Sequence, residues 1–291
     1  MRKCLMMLML SASVACAEET SSLRWTVSGG GTGMFRTDLD GGGEFSLWRA
    51  QTGVGVSLDV AEDLRFSLDF GGEHSVYDFG GATTLVGGDA EPWEDLESAS
   101  VGLRLEGMVN EHWGWVIGGT FRMAWEPGAD VGSALLGSGY GGVRYRFSEN
   151  FALTLGAGVA SRLEDDARVF PVLGLEWKLS EMVRVETRGL GLAVIAQVHD
   201  NWEVAAKGGY ESREWRLSEV RAALADGVAR DERVMVGGEV VWKPAAGVRV
   251  SIEGGVAVWQ ELEALTQNGV TVGEQEGDPG AFLGGRVIFN F

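Results

Sequence analysis

The 291-residue sequence contains little cysteine and little proline. Its two cysteines, Cys4 and Cys16, both lie in the first seventeen residues, and only five residues are proline. A chain without further thiols offers neither a disulfide framework nor cysteine chemistry. The scarcity of proline beside 45 glycines favours many strands and turns over a low-complexity tail.

Basic side chains are also scarce. The chain has 24 Lys and Arg against 42 Asp and Glu, a formal charge of −18. Such an acidic chain repels nucleic acid, so we expect no nucleic-acid partner. With 45% hydrophobic residues the chain is nevertheless too apolar to be disordered.

The N-terminus has the layout of a secretory signal peptide. A basic start and an apolar stretch lead to the small residues Ala15-Cys16-Ala17. This layout predicts a signal peptide over residues 1–17 and a mature domain over residues 18–291. In an alternative interpretation Cys16 is the lipidated residue of a lipoprotein, but Ser13 fits the required preceding motif poorly. Beyond the signal no apolar run approaches the roughly 18 residues of a spanning helix, so any membrane-spanning segments must be strands.

Alternation of apolar and polar residues runs through the mature chain. In residues 248–260 the even positions are apolar, whereas the odd ones begin Arg249, Ser251 and Glu253. The same alternation recurs in residues 113–125, 151–162, 169–179 and 233–243. A period of two predicts strands that each have one apolar and one charged face.

The connections between these strands fall into two alternating classes. Six are tight, at residues 61–63, 110–112, 148–150, 180–182, 199–201 and 244–247. Seven others are mostly longer and richer in glycine or acid, at residues 38–43, 75–95, 126–136, 164–168, 188–189, 218–231 and 261–280. Strict alternation is typical of an up-and-down antiparallel transmembrane β-barrel with short periplasmic turns and longer outer loops. Thirteen connections predict about 14 strands, or 12 if the short hairpin at residues 183–198 is lost.

The apolar face of these strands has two alternative neighbours, lipid or a protein core. A soluble secreted β-sandwich shows the same alternation, but a soluble barrel of fourteen strands would have a lumen too wide for side chains to fill. Aromatic residues also cluster beside the tight turns (Trp113, Phe147, Phe151, Trp177, Trp202, Trp242) and near the loop ends (Phe35, Tyr77, Phe79, Trp93, Trp125, Trp215, Trp259). Two such belts are expected where a barrel meets both membrane interfaces.

The last strand has an apolar face closed by an aromatic residue. Leu283, Val287, Phe289 and Phe291 share that face. The pattern resembles the C-terminal assembly signal of bacterial outer-membrane proteins, and the mature chain resembles their small single-chain barrels, including monomeric porins and uncharacterised barrel families. The resemblance implies a bacterial outer-membrane location, contact with lipid and lipopolysaccharide, and delivery by the barrel-assembly machinery through residues Phe291, Phe289 and Val287. It leaves the oligomeric state open, with a monomer favoured.

The charged face must then point into the lumen, because an Arg or Lys facing lipid near the midplane costs about 2 to 4 kcal/mol. The predicted pore-lining residues are Arg49, Arg65, Arg104, Arg122, Arg144, Arg146, Arg162, Arg184, Arg233, Arg249, Glu106, Glu176, Glu239 and Glu253. In one interpretation these side chains form structural Arg–carboxylate pairs. In the other, an uncompensated arginine ladder selects anionic or polar solutes. Arg144 and Arg146, with no acid near them in sequence, are the preferred candidates for pore-side cations.

The loops offer two further features. Acid is concentrated in the second and last loops, where carboxylates are either divalent-cation ligands that bridge lipopolysaccharide or, as we favour, a solvated surface. Residues 218–227 have the pattern of a short helix, with Ser218 as N-cap and Gly227 as its end.

No constellation for catalysis emerges. His74 is adjacent to Ser75, but adjacent side chains of a strand point to opposite faces, so the two cannot form a dyad. His112 and His199 lie in tight turns. We therefore expect no enzyme, no cofactor and no metal, and predict a passive channel for small polar solutes or a structural outer-membrane protein. The alternatives are an outer-membrane lipid hydrolase or deacylase and the soluble sandwich.

Overall fold

A computed structural model describes residues 23–220 and 224–291, so the predicted signal peptide, residues 1–17, lies outside the described residues. Within those ranges the chain forms fifteen strands: β1 (Leu23–Asp38), β2 (Glu44–Ala61), β3 (Leu64–Gly80), β4 (Asp95–Met108), β5 (Trp113–Trp125), β6 (Leu135–Ser148), β7 (Phe151–Arg162), β8 (Asp165–Lys178), β9 (Val183–Arg188), β10 (Gly191–His199), β11 (Trp202–Arg216), β12 (Val228–Ala245), β13 (Val248–Leu265), β14 (Thr271–Gly277) and β15 (Gly280–Asn290).

These strands close into an antiparallel barrel. Each strand from β1 to β13 pairs with the next one along the chain, and β15 pairs with both β13 and β1. Strand β14 pairs only with the end of β13, so it extends the last loop and leaves fourteen strands in the wall among the described residues. The prediction of fourteen strands is confirmed, and each of the thirteen predicted connections overlaps one in the structure, although β3, β8, β12 and β13 extend into segments that the sequence assigns to loops. We call the end with the six tight turns the turn end and the opposite end the loop end.

The outer surface of the wall is apolar. Ile117 on β5, Leu173 on β8 and Ile252 on β13 are each about 60% exposed, at 58%, 61% and 63%. A soluble monomer rarely exposes so large an apolar surface, whereas a membrane-spanning barrel requires it. Among the described residues no helix has the length and hydropathy to span a membrane.

The aromatic belt at the turn end is confirmed. Ring centroids of Trp113 and Tyr145 lie 4.6 Å apart, those of Phe147 and Phe151 lie 5.1 Å apart, and Trp177 follows 5.8 Å from Phe151. Most of these rings lie on the outer surface, where an amphipathic aromatic suits the membrane interface.

The predicted second belt at the loop end is largely wrong. Tyr77, Phe79, Trp93 and Trp215 are at most 7% exposed and belong to one buried core inside the barrel, whereas Phe35 is exposed. The reason is the pleat of β3, where Tyr77 shares a face with Ser75 and Glu73, so it points into the lumen. We call this core, together with the β3–β4 loop residues Ala82, Leu85 and Val86, the plug.

The β11–β12 hairpin leaves the wall at the loop end. Residues 214–218 and 227–233 are buried without a break. In a barrel wall every second residue faces lipid, so an unbroken buried run means that both faces contact protein. Arg216 forms a bridge with Trp125 on β5, and Glu126 N–H donates to the Arg216 carbonyl (2.8 Å). We call residues 211–216 and 228–233 the ribbon; it lies across the inside of the barrel.

The wall is interrupted where the ribbon has turned inwards. Strand β8 pairs with β9 over only three residue pairs at the turn end, because the β9–β10 hairpin is short. Among the described residues, the part of β8 at residues 165–175 therefore has a strand partner on the β7 side alone. Pro171 lies in this part, where a missing backbone N–H does not break a ladder on the open side.

The predicted helix at residues 218–227 is not seen in the part that the structure describes. Residues 219–220 and 224–226 form turns, and residues 221–223 lie outside the described residues. A three-residue 3-10 turn, Val131–Ser133, occurs instead in the β5–β6 loop, where Asp130 caps the Gly132 N–H.

Candidate functional site

The lumen contains a dense set of ion pairs that includes most of the predicted pore-lining residues. The pairs toward the turn end are Arg65 with Asp59 and Glu106, Arg104 with Glu106, Arg144 with Glu176, Arg184 with Glu186 and Glu203, Arg249 with Glu203, Glu239 with Arg188, and Glu253 with Lys207. Those toward the loop end are Arg49 and Arg122 with Glu73, Arg162 with Glu214, and Arg233 with Asp231. Strands that are not neighbours supply many of these partners, so the pairs cross the interior.

Arg144, one of the two preferred candidates for pore-side cations, has an acidic partner in the structure. Its Nη2 lies 2.5 Å from Glu176 Oε2. The residues of β7 opposite them are the small Thr154 and Ala152, so the long side chains from β6 and β8 can meet above β7. Glu176 is 32 residues away from Arg144 in the sequence, so local patterns do not identify it as the partner. Arg146 has no ion-pair partner among the described residues and lines the chamber at the turn end.

A buried ion cluster fixes the ribbon to the opposite wall. It comprises Arg49, Glu73 and Arg122 from β2, β3 and β5, and Glu211, Arg213, Asp231 and Arg233 from the ribbon. Arg213 Nε lies 3.1 Å from Glu73 Oε1, and Arg49 Nε donates to Ser75 Oγ at 3.0 Å. The Arg213–Glu73 contact joins residues 140 positions apart, so only the closed barrel creates it, whereas Arg49 and Ser75 are opposite each other on the neighbouring strands β2 and β3.

Asp231 is the central acceptor of this cluster. It is 2% exposed. Arg233 Nε donates to its Oδ1 at 2.5 Å, Tyr77 donates its hydroxyl to Oδ2, and Arg49 Nη2 lies 3.7 Å from the same oxygen. A buried carboxylate is stable only when its charge and lone pairs are satisfied in this way.

The other face of the ribbon is held by a second set of charges, which we call the seam. Glu214 accepts from Arg162 Nε (2.7 Å) and from the backbone N–H of Leu163 (2.7 Å), and Arg230 Nε donates to it at 2.9 Å. Arg168 of β8 pairs with Glu232 at 3.0 Å. These side chains lie where a backbone ladder would otherwise join β8 to its neighbour, so ion pairs replace strand pairing at the interruption.

The plug closes the remaining space at the loop end. Trp93 packs edge-on against Phe79 with ring centroids 5.3 Å apart and against Tyr77 at 6.1 Å. Trp215 of the ribbon meets Tyr77 from another side at 6.1 Å, and Arg122 lies over the Trp215 ring. The loop end of the lumen is therefore filled by side chains.

The rest of the lumen is open enough to hold solute. A chamber of about 760 Å³ lies at the turn end, lined by residues that include Arg146, Lys178 and Gln197, and a second of about 320 Å³ adjoins it through Arg144 and Glu176. Closer to the ribbon is a more enclosed cavity of about 270 Å³, which we call the mid-lumen cavity. The lumen is thus polar and hollow toward the turn end and filled at the loop end.

Sequence reasoning missed several of the charged residues that matter most. Glu73, Glu211, Arg213, Asp231 and Glu232 were not among the predicted pore-lining residues. The alternation of β11 does indicate the direction of Arg213, because Arg213 and Lys207 are both at odd positions and so share the lumen face. For Asp231 the alternation gives no signal, because the sequence pattern places the first residues of β12 in the loop at residues 218–231.

The histidines do not form a catalytic arrangement with a serine. Ser75 is fully buried and accepts from Arg49, whereas His74 is on the outer face with Nε2 3.5 Å from Asp95. The two side chains point to opposite faces of β3, as the sequence predicts. His112 lies in a turn, where its Nδ1 contacts the Arg146 carbonyl at 3.0 Å. Within residues 23–220 and 224–291 no group of three His, Cys, Asp or Glu side chains is placed to hold a metal ion.

The proposed assembly residues lie on the last strand. Val287 is partly buried, and the Phe289 and Phe291 rings stack 6.5 Å apart on the outer surface, where Phe291 N–H donates to the Trp25 carbonyl. Their role in assembly remains a prediction.

An acidic ladder lies outside the membrane-spanning part, on the β13–β14 hairpin. Glu261 is directly opposite Glu276, and Glu263 is directly opposite Glu274. Burial and the neighbouring carboxylates, Glu274 first, raise the pKa of Glu261 above its ordinary value. Like charges opposite each other destabilise a strand pair by roughly 0.2 to 1 kcal/mol.

We expect Glu261→Gln to stabilise this hairpin at neutral pH. A carboxyl group whose pKa is raised by folding costs stability when ionised, so the cost is present above the raised pKa and vanishes below the ordinary one. Hydrogen exchange of the β13–β14 amides, corrected for intrinsic rates, should therefore be slower in the variant at pH 7.5 and unchanged at pH 4. Glu263→Gln is the control, because Glu263 accepts from Arg230 and Thr271 and its loss should speed exchange. Equal protection in both variants at pH 7.5 would refute the repulsion.

Comparisons with known proteins give a fold likeness only. No protein-family model matches the chain, and no curated protein matches it. Among solved structures, the COG4313 outer membrane channel from Pseudomonas putida F1 is 10% identical, with 92% of this chain and 95% of that chain covered and a TM-score of 0.48. The P. putida toluene transporter TodX is 8% identical, with 94% and 91% covered and a TM-score of 0.39. LpxR from Salmonella typhimurium is 10% identical, with 91% and 99% covered and a TM-score of 0.37.

Proposed function

We propose that the protein is a bacterial outer-membrane barrel that passes small polar solutes, and that the ribbon and the plug close its loop end at rest. One observation carries this proposal: polar chambers occupy the turn end, while the loop end is closed by non-covalent contacts of the ribbon and the plug. The apolar outer surface and the turn-end aromatic belt support a membrane location. The tight turns would then face the periplasm.

The ribbon closes the loop end through contacts that can break and re-form. The ribbon is fixed by ion pairs on both faces and by ring packing on one. Buried ion pairs contribute little net stability relative to apolar packing, because desolvation offsets their attraction. Residues 228–233 of the ribbon also pair with residues 260–265 of β13, so displacing the ribbon moves this end of β13 with it and leaves the rest of the fourteen-stranded wall paired.

An enzyme is a weaker proposal. The only histidine beside a hydroxyl residue in sequence, His74, is separated from Ser75 by the sheet itself. A hydrolase needs a base within hydrogen-bond reach of its nucleophile. We therefore propose a non-enzymatic role with no resident cofactor.

Tethering the ribbon to the wall tests the proposal. Arg216 and Trp125 are bridge partners, so Arg216→Cys with Trp125→Cys places two thiols within disulfide reach. In planar bilayers we expect the untethered barrel to show brief openings, the oxidised double variant to show none, and reductant to restore them. The mature chain predicted here has no other thiol to interfere.

A matched control contains a disulfide that does not link the ribbon to β5. Ala229 and Ala264 are directly opposite within the β12–β13 sheet, so Ala229→Cys with Ala264→Cys cross-links the sheet without joining it to β5. This control should still open when oxidised. If every form stays silent while heat-modifiable gel mobility shows it folded, the channel proposal fails and a structural wall protein is the better description.

A further inference from the structure

The mid-lumen cavity has an excess of positive charge. Six basic and three acidic side chains line its roughly 270 Å³. Each acid already has a basic partner: Glu211 pairs with Arg213 (2.6 Å), Glu239 with Arg188 (2.8 Å) and Glu253 with Lys207. The three remaining cations are Arg49, Arg233 and Arg286.

The buried ion cluster beside the cavity is short of one anion. Four of its members are arginines and three are carboxylates. Arg49 is 5% exposed, and its Nη2 has no hydrogen-bond partner in the part of the chain that the structure describes. A buried positive charge without a full set of counter-ions is costly, so an anion in the cavity, which Arg49 lines, would offset the net positive charge of the cluster.

Arg286 faces the same cavity from the last strand. Among the described residues it has no ion-pair partner, although it is exposed to the lumen. It lies two strands from Arg49, with Gly30 of β1 opposite it. A β-carbon on Gly30 would lie 2.6 Å from the Gly285 carbonyl oxygen and 3.2 Å from Arg286 Cβ. Only glycine at position 30 therefore lets β1 lie this close to Arg286.

We infer that the mid-lumen cavity binds a small oxyanion, a carboxylate or phosphate group, held between Arg49 and Arg286. Guanidinium groups recognise both kinds of oxyanion through charge-assisted hydrogen bonds. The cavity has the volume of about nine waters at ~30 Å³ each, which limits the ligand to roughly the size of a small organic acid. The inference deepens the proposed function by naming the solute class, and it rests on that function only for transport, because binding is measured without conductance.

Calorimetric titration of the folded barrel in detergent at constant ionic strength tests the inference. The probes are succinate, inorganic phosphate and succinamide, the neutral analogue of succinate. We expect succinate or phosphate to bind and succinamide to give no heat. The stronger of the two anions identifies the preferred oxyanion.

Arginine variants locate the site. Arg286→Gln should weaken binding about tenfold or more, because it removes one charge-assisted contact. Arg104→Gln removes a lumen arginine that already pairs with Glu106 and does not line the cavity, so binding should be unchanged. Gel mobility confirms that both variants fold. Binding of neither anion, equal binding of succinamide, or an equal effect of the two variants would overturn the inference, and none of these results depends on whether the barrel conducts.

Discussion

The Asp231→Ala variant is expected to open the loop end. Removal of this carboxylate leaves Arg49 and Arg233 buried beside each other without their shared counter-ion. Breaking a buried ion pair by removing one partner typically costs about 3 to 5 kcal/mol. Since about 1.4 kcal/mol is a tenfold change in an equilibrium, the docked ribbon should lose a factor of roughly one hundred or more in population. Single-channel recording should show long openings, and the ribbon should become accessible to protease.

Two further variants separate this effect from general misfolding. Asp231→Leu with Arg233→Met removes one charge of each sign, returns the cluster to its native net charge and should restore closure. Glu106→Ala removes a lumen carboxylate from pairs that are solvent-exposed and worth about 0 to 1 kcal/mol, so it should leave the ribbon docked and protected from protease. If Asp231→Ala behaves like Glu106→Ala, the ion cluster does not hold the ribbon.

The Trp93→Ala variant should release the β3–β4 loop. Trp93 is 1% exposed and packs against Phe79 and Tyr77 in the plug. Truncation of a buried tryptophan to alanine costs about 3 to 5 kcal/mol. We expect protease to cut within residues 81–94, which lie inside the loop, while the strands remain protected. Mass spectrometry of the fragments measures this outcome.

The indole nitrogen of Trp93 provides a sharper comparison. Trp93 Nε1 is buried without a hydrogen-bond partner among the described residues, so Trp93→Phe loses volume but no hydrogen bond and should be much less harmful than Trp93→Ala. Trp48 is a matched control, because it is 52% exposed and Trp48→Ala should leave the loop protected. Cleavage that is equal in Trp93→Ala and Trp48→Ala would show that the plug does not anchor the loop.

The two aromatic sets show why the sequence predicted one belt correctly and the other wrongly. The turn-end rings follow tight turns, where the strand register is unambiguous, and they share parity with apolar neighbours such as Ile117. At the loop end, Tyr77 was grouped by its position near a loop, although its parity with Glu73 and Ser75 already assigned it to the lumen. Trp93 lies in an irregular loop, where no period exists from which its direction can be deduced.

Local patterns in the sequence do not predict that the β11–β12 hairpin closes the lumen. On β11 the face that carries Val204 and Trp202 continues as Ser212 and Glu214, which reads as a strand leaving the membrane for solvent. The structure instead turns that polar face toward Arg162 and Arg168, more than forty residues away in the chain. A change from apolar to charged residues shows where a strand leaves lipid. It does not show which distant side chains those charged residues contact.

Local sequence patterns predict the fourteen strands, their turns and loops, and which face of each strand is apolar, because period-two alternation and turn chemistry are local. Three features depend instead on the folded barrel: the β11–β12 hairpin enters the lumen, Arg144 meets Glu176, and Arg49 and Arg286 line one cavity. Each of these contacts depends on how a closed barrel brings distant strands together, and the electrostatic cost of burying unpaired charge selects among such arrangements.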